Sequence, residues 1–315
     1  MTLEDNLFED IRAGRQVDIE RALLIVSGCD TEEKIAEYKK KISGIEKDFK
    51  LYNRIFPFFE RRKKKAIARN LHEYFWGAKP KRYNGNSMLT DVIDAQLSPE
   101  PNPVGNCLGL TSLYTVIGMR QGLDINAIVI TNHVASIVNA GKEKIAVENI
   151  HAEGFGIKYI IPDAGHDFVG IRGLNSLVAM VLSNRGLGKE INGDLKGAFA
   201  DYSKAIEIDI SLPNMYNNRA LALEAMGSTL AALEDYGDAI RVCPEYATPY
   251  KNRGELKLKL NDINGAIEDF NEAIEINPNY RDAFRRRGHA KDRLGDIEGA
   301  NADYEIFLKL KGAPQ

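Results

Sequence analysis

The sequence predicts a two-part chain, with a mixed α+β N-terminal part followed by an all-α solenoid of four 34-residue repeats. Two observations predict this. From residue 174 onward, small and aromatic residues return at a spacing of 34, which suits a repeated helix pair. Before that point, helical periodicity gives way to three short segments with strand character, at 127–131, 133–139 and 144–150. The predicted divisions are a helical region at 1–80, an α+β core at 81–173 and the repeats at 174–315.

Bulk composition narrows the class of protein. The 315 residues are 44% hydrophobic and 28% charged, which is ordinary for a packed protein, and the formal net charge is −3. No apolar run approaches the roughly 20 residues that span a bilayer, and the acidic start lacks the features of a signal peptide. The three cysteines are too few and too widely spaced for a disulfide framework. We therefore expect a cytoplasmic protein that does not associate with membranes.

Three positions of the repeat keep the same kind of residue in all four copies. With repeats starting near 179, 213, 247 and 281, the twentieth position is always alanine and the twenty-fourth is always aromatic. The eighth position is glycine or alanine, as expected where two helices cross closely. Turns at Gly193, Asn261 and Gly295, each followed by aspartate, are predicted to end one helix and cap the next. In these features the C-terminal half resembles the tetratricopeptide repeat family.

That resemblance implies a concave groove, lined by the first helix of each repeat, that binds a protein or peptide. The candidate binding residues stand at the sixth position: Asn184, Asn218, Asn252 and Arg286. In family members that hold a C-terminal carboxylate, Asn and Arg at such points contact the peptide. The match to that clamp is partial, because Asp282 replaces its Lys and Leu221 replaces its Asn. A groove for another peptide or domain is favoured, and an alternative is that the repeats brace the neighbouring domain.

The last predicted helix suggests a further contact. It carries Phe307, Leu308 and Leu310, and no polar capping helix follows these residues in the sequence. An uncapped apolar end of a solenoid favours association. We therefore expect this helix to contact a partner or a second copy of the chain.

A candidate nucleophile lies in the α+β core. Cys107 follows Asn106, a good capping residue, at the predicted start of a helix that ends near Gly122. Backbone N–H groups and the helix dipole stabilise a thiolate at such a position. The same N–H groups can form part of an oxyanion hole. Cys107 is therefore the candidate catalytic cysteine, whereas Cys29 and Cys243 are assigned structural or incidental roles.

Hairpin geometry selects the partners of this cysteine. His133 opens a predicted strand, and a two-residue turn at 141–142 would pair Ala140 with Glu143. Continuing that ladder makes Glu148 the diagonal neighbour of His133, roughly 7–8 Å away on one face. A shift by one residue would bring Asn149 there instead, so Asn149 is kept as the alternative orienting group.

The constellation resembles the transglutaminase-like superfamily, which has a papain-like fold and the same chain order of Cys, His and acid. The matching segments are Asn106-Cys107-Leu108, Asn132-His133-Val134 and Val147-Glu148-Asn149. With the helical front at Asn86-Ser87-Met88-Leu89 and the fused repeats, the chain resembles the SirB-type proteins. Many SirB-type members lack the cysteine, which this chain keeps, and its acid is Glu rather than the commoner Asp.

The resemblance implies a cysteine acyl-transfer enzyme of protease, deamidase or transglutaminase type, with no cofactor. The alternative is a non-catalytic adaptor with a vestigial transglutaminase-like domain, because a lone cysteine is often a core residue. A third hypothesis, nucleic-acid binding by the basic run at 61–65, is weaker than a solvated helix face. No metal is expected, because His151-Ala152-Glu153 is not followed by the cysteine pair of a zinc deaminase.

Overall fold

The computed structural model describes residues 1–55, 63–78, 88–98, 106–130, 133–147, 149, 155–157 and 168–310. The chain divides into two compact units. The first is formed by Met1–Tyr159, Val169–Gly193 and Ser203–Ile210, and the second mainly by Asp194–Tyr202 and Ser211–Gln315. The fold of each unit is given below by itself.

Among the described residues, six helices precede the sheet of the first unit. They are α1 (Leu3–Arg12), α2 (Ile19–Val26), α3 (Glu32–Asn53), α4 (Lys64–Ala78), α5 (Leu89–Leu97) and α6 (Cys107–Arg120). The first three begin at side-chain caps, because Thr2, Asp18 and Thr31 each accept a hydrogen bond from a backbone N–H three residues on. Local sequence therefore fixes where these helices start.

Helix α6 forms the centre of the first unit and is buried from Leu108 to Gly118. Its Tyr114 is completely buried and donates a hydrogen bond to the Ala68 carbonyl of α4 at 2.9 Å. A Cβ at Gly118 would lie 2.5 Å from the terminal methyl group of Ile125, so glycine allows this close approach to the following strand without a shift of that side chain. A helix that is apolar on every side is expected at such a buried position.

Five strands form one sheet in the order β4-β3-β2-β1-β5. They are β1 (Asp124–Ile130), β2 (His133–Ala140), β3 (Glu143–Val147), β4 (Phe155–Ile157) and β5 (Phe168–Arg172). The predicted hairpin is confirmed, because β2 and β3 are antiparallel and Ala140 pairs with Glu143. Gly141 in the turn has a φ of 74°, which favours glycine there. Strand β1 starts three residues before the predicted position, and β3 ends at Val147 rather than at 150.

Helix α7 (Leu174–Ile191), which contains the start of the first predicted repeat, belongs to the first unit. It packs against α2, α6 and β1 and buries Leu177, Val178, Val181 and Leu182. Helix α8 (Leu195–Ile208) contributes residues to both units. The first unit therefore extends past the boundary predicted at residue 173. The reason is that α7 buries its apolar side chains against the helices and the strand of the first unit.

The second unit continues with three helix pairs. They are α9 (Pro213–Ala225) with α10 (Thr229–Val242), α11 (Ala247–Lys259) with α12 (Ile263–Ile276), and α13 (Arg281–Leu294) with α14 (Ile297–Lys309). The first helix of each pair begins at the predicted repeat start. Asn261 and Gly295 have positive φ angles of 66° and 88°, and the aspartate after each caps the next helix. The predicted turns are thus confirmed in these two pairs.

The positions that keep the same kind of residue in every repeat are those where the two helices of a pair touch. The twentieth-position alanines, Ala198, Ala232, Ala266 and Ala300, are completely buried. A Cβ at Gly254 would lie 2.8 Å from the Phe270 ring, and one at Gly288 would lie 2.8 Å from the Tyr304 ring. Glycine at the eighth position therefore makes room for the aromatic residue at the twenty-fourth, as the spacing predicts.

Candidate functional site

Cys107 is the first residue of α6, as predicted. Asn106 precedes it in extended conformation, and the Asn106 side chain accepts a hydrogen bond from the Gly109 N–H at 2.8 Å. The cysteine itself is half-buried and forms no disulfide. The sulfur therefore belongs to the first turn of a well-capped helix, where unpaired backbone N–H groups and the helix dipole favour negative charge.

His133 is the first residue of β2 and pairs with Ile130 of β1. Its side chain and the whole of Glu148 lie outside the described residues. The β2–β3 ladder is described as far as Ser136 paired with Val147, in the register from which Glu148 was predicted. The assembly of Cys107, His133 and Glu148 into a triad stays a prediction.

A polar cluster lies beneath the first turn of α6. Thr111, one helical turn after Cys107, donates a hydrogen bond to the Val134 carbonyl at 3.3 Å. Asn149 donates through Nδ2 to the hydroxyls of Thr111 at 3.2 Å and Ser136 at 3.1 Å. All three side chains are buried. These bonds place the first turns of α6 beside the residue that follows His133.

The sequence predicts a role for Asn149 but not for Thr111 or Ser136. The available signal was weak, because both are small hydroxyl residues inside otherwise apolar segments. Buried hydroxyls need hydrogen-bond partners, and such residues within a buried helix or strand often indicate a polar contact between elements. Their partners lie 23 and 13 residues away in the chain, so local pattern could not identify them.

Three of the four predicted groove residues lie in the second unit. Asn252 is buried and donates to Oδ1 of Asn217 at 2.8 Å, and Asn217 donates to Oδ1 of Asn218 at 3.3 Å. Arg286 forms an ion pair with Glu255 at 2.9 Å. These residues belong to α9, α11 and α13, the first helices of their pairs. Asn184 is placed differently, since it lies in the first unit and donates to the Met88 sulfur at 3.7 Å.

Asn214 extends this row of amides on α9. It is 8% exposed, and its Oδ1 has no hydrogen-bond partner among the described residues. Asn214 lies three and four residues before Asn217 and Asn218, so the three amides share one helix face. An unpaired buried acceptor in native proteins calls for a ligand, ion or water that satisfies it.

A small recess lies between α11 and α13. Its lining includes Glu255, Leu258, Lys259, Arg286, His289 and Arg293. Its cations have acidic or carbonyl partners: Lys259 pairs with Glu224 at 2.5 Å, and Arg293 donates to the Leu258 carbonyl at 2.7 Å. Asp282, which replaces the lysine of a carboxylate clamp, pairs with Arg285 at 3.3 Å. The recess is therefore polar, with both signs of charge.

The described residues limit other kinds of site. Among them, no group of three or more His, Cys, Asp or Glu side chains could hold a metal ion. No helix in the described parts of the chain is both long and apolar enough to cross a membrane. The basic run at 61–65 lies partly outside the described residues, and its Lys65 forms an ion pair with Glu143 at 2.6 Å.

The successive helix pairs define a helical-repeat protein in the C-terminal part of the chain. Residues 247–280 match the tetratricopeptide repeat family, and the C-terminal part therefore carries tetratricopeptide repeats. Among curated proteins, no match to this sequence was found.

Several solved structures are similar to the chain. MamA is 21% identical, over 42% of this chain and 78% of that one, with a TM-score of 0.40. The first tetratricopeptide domain of Spaghetti, bound to an HSP90 peptide, is 25% identical over 37% and 93%, with a TM-score of 0.36. YrrB, a tetratricopeptide protein with an unusual peptide-binding site, is 21% identical over 42% and 69%, with a TM-score of 0.38.

Proposed function

We propose that the tetratricopeptide repeats bind a protein or peptide along the first helices α9, α11 and α13. The observation that carries this proposal is the row of amides ending at Asn214, whose buried Oδ1 lacks a partner among the described residues. An extended peptide presents backbone N–H and C=O groups, which amide side chains pair with as donor and acceptor. Arg286 and the recess beside it would add contacts to a polar or charged side chain.

The test begins with peptides selected against the full-length chain from a displayed library. Their affinity is then measured for Asn214→Leu and Asn252→Leu. Loss of one satisfied hydrogen bond is expected to weaken binding about tenfold. The matched control is Glu268→Gln, an exposed position on α12, the second helix of its pair. Unchanged affinity in both amide variants would place the partner on another surface.

We infer a second function for the first unit: cysteine acyl transfer of the transglutaminase-like kind. The observation that favours it is Cys107 at the start of α6, tied through Thr111 to the beginning of β2. His133 would take the thiol proton, and the thiolate would attack a carboxamide or peptide carbonyl. The C–N bond then breaks, ammonia from a carboxamide or an amine from a peptide leaves with the proton from His133, and a thioester remains. Water or a second amine breaks the C–S bond and releases Cys107.

In this reaction the helix-start N–H groups would hold the oxyanion, and Glu148 or Asn149 would orient His133. Hydrolysis would make the protein a protease or deamidase, whereas attack by an amine would make it a transglutaminase. The repeats would bring the protein substrate. The rival is an adaptor in which the first unit only binds or braces.

The pH dependence of alkylation at each cysteine, located by peptide mass spectrometry, separates these hypotheses. Cys243 is also half-buried and serves as the internal comparison. If Cys107 carries acyl transfer, it reacts faster than Cys243 near pH ~7, and His133→Ala removes the advantage. Equal rates for both cysteines, with partner binding retained in Cys107→Ser, would favour the adaptor.

Two further expectations belong to this proposal. A cytoplasmic location rests on the three cysteines, none of which forms a disulfide. Self-association rests on exposed apolar side chains of the last pair, with Leu294 53%, Ile297 55% and Leu308 61% exposed. Light scattering over a range of concentrations tests the second, and a mass that stays monomeric would remove it.

A further inference from the structure

Thr111 joins the three segments that carry the candidate catalytic residues. It lies four residues after Cys107, so both occupy one face of α6. Its hydroxyl donates to the carbonyl of Val134, the neighbour of His133, at 3.3 Å. The same hydroxyl accepts from Asn149, the neighbour of Glu148, at 3.2 Å. One buried oxygen thus connects the helix, the histidine strand and the segment that follows β3.

The polar side chains around this hydroxyl are hydrogen-bonded to one another. Asn149 Nδ2 also donates to the Ser136 hydroxyl at 3.1 Å and lies 3.4 Å from the Val147 carbonyl. Thr111 and Ser136 are completely buried, and Asn149 is 3% exposed. In such surroundings hydrogen bonds are strong, and removing one partner leaves the others without compensation from water. The network therefore constrains the relative position of the three segments.

We propose that Thr111 is the positioning residue for the chemistry of Cys107. Its hydroxyl sets the spacing between the first turn of α6 and the start of β2, and it acts through Val134 and Asn149. The inference rests on the proposed acyl-transfer function. A displacement of about 1 Å in a reacting pair can cost on the order of a hundredfold in rate.

The experiment measures the alkylation rate of Cys107 with iodoacetamide in the full-length chain, from about pH 5 to about pH 9. Thr111→Val keeps the shape of the side chain and removes the hydroxyl. It should slow Cys107 roughly tenfold to a hundredfold near pH ~7 and bring its pH profile close to that of Cys243. Thr111→Ser restores the hydroxyl and should return most of the rate.

Ser112→Ala is the matched control. Ser112 is equally buried on α6, but its hydroxyl donates to the Leu108 carbonyl within the helix at 2.8 Å. Its loss removes a buried hydroxyl without touching the strands, so the Cys107 rate should not change. If Thr111→Val does not fold, Ser136→Ala removes the other hydroxyl that holds Asn149 and should slow Cys107 in the same direction.

A double-mutant cycle with His133→Ala tests whether Thr111 affects Cys107 through His133. If Thr111 acts by placing the histidine strand, Thr111→Val has less than about a twofold effect once His133 is gone. A full effect in that background, or equal slowing in Thr111→Val and Ser112→Ala, overturns the positioning role. If wild-type Cys107 is alkylated faster than Cys243 and Thr111→Val does not slow it, the positioning role is also overturned, whereas the acyl-transfer proposal stands. Wild-type Cys107 no faster than Cys243 overturns both proposals.

Discussion

The guanidinium of Arg253 holds the carboxylate of Asp269 through two hydrogen bonds, 3.0 Å from Nε and 2.6 Å from a terminal nitrogen. The same pair recurs 34 residues earlier as Arg219 with Asp235, and 34 residues later as Arg287 with Asp303. Each pair joins the two helices of one repeat, and each aspartate is buried. This ionic column is as regular as the glycine and alanine columns.

Arg253→Met should destabilise the second unit by about 3 kcal/mol, because it leaves a buried carboxylate with one partner fewer. Lys257, 2.9 Å from Asp269, remains and limits the loss. Since a repeat contacts only the repeats next to it, the loss of stability should be local and should centre on α11 and α12. Hydrogen exchange of the amides in these helices measures it.

The control for this prediction is Lys309→Met. Lys309 pairs with Glu305 at 3.8 Å, and the two side chains are 75% and 71% exposed. Exposed pairs contribute about 0–1 kcal/mol, so exchange in α14 should change little. Equal protection of α11 in Arg253→Met and wild type would show that the column contributes no stability.

Gly254→Ala should destabilise the same repeat by roughly 1–3 kcal/mol, because its Cβ would lie 2.8 Å from the completely buried Phe270 ring. Gly237→Ala on α10 is the matched control, since the nearest atom to its Cβ would be an Arg253 nitrogen at 4.0 Å. There the better helix propensity of alanine should stabilise by up to about 1 kcal/mol. Urea unfolding followed by far-ultraviolet circular dichroism checks the opposite signs.

The repeats could be predicted from sequence because each contact column depends on residues at a fixed spacing. Pro213, Ala247 and Arg281 begin helices at the predicted positions. The ionic column was missed although its spacing is equally regular, because charged residues are expected on solvated faces. Each of its buried aspartates pairs with an arginine 16 residues earlier in the same repeat, and Asp269 and Asp303 each also pair with a lysine.

The candidate site could be predicted only where local chemistry decides the structure. Asn106 caps α6 three residues before the Gly109 N–H, so the position of Cys107 followed from the sequence. Thr111 gains its partners from segments 23 and 38 residues away, which depends on how α6 packs on the sheet. Likewise, α7 contains the start of the first predicted repeat, yet the structure assigns this helix to the first unit.

Glu4 gives the first unit a pH-dependent stability. Burial alone would raise the pKa of Glu4, but hydrogen bonds from Arg185 and Lys204 lower it to about 2 from an ordinary 4.5. A depressed carboxyl pKa stabilises the folded state above the ordinary value, and this stabilisation is lost as pH falls from 4.5 to about 2. Glu4→Gln should therefore lower stability by up to about 3 kcal/mol at neutral pH, with a smaller difference in acid.

Trp76, the one tryptophan of the chain, lies on α4 in the first unit and reports its unfolding. Urea titrations followed by its fluorescence, near pH ~7 and pH ~3, measure the difference. Glu9→Gln, an exposed position on the same helix, should stay within about 0.5 kcal/mol of wild type. A Glu4→Gln difference that does not shrink in acid would rule out the ion pairs as its source.

Cys29 should resist alkylation in the native protein until the α2–α3 turn opens. It is 1% exposed, and burial raises the pKa of its thiol, so both access and thiolate fraction are low. Thr31→Ala removes the cap that accepts from the Lys34 N–H at 3.2 Å, at a cost of about 1 kcal/mol. If labelling follows local opening, Cys29 should then react about fivefold faster, while Cys243 in the second unit should not change. Fast labelling of Cys29 in wild type, matched by no effect of Thr31→Ala, would mean that the thiol is reached without opening.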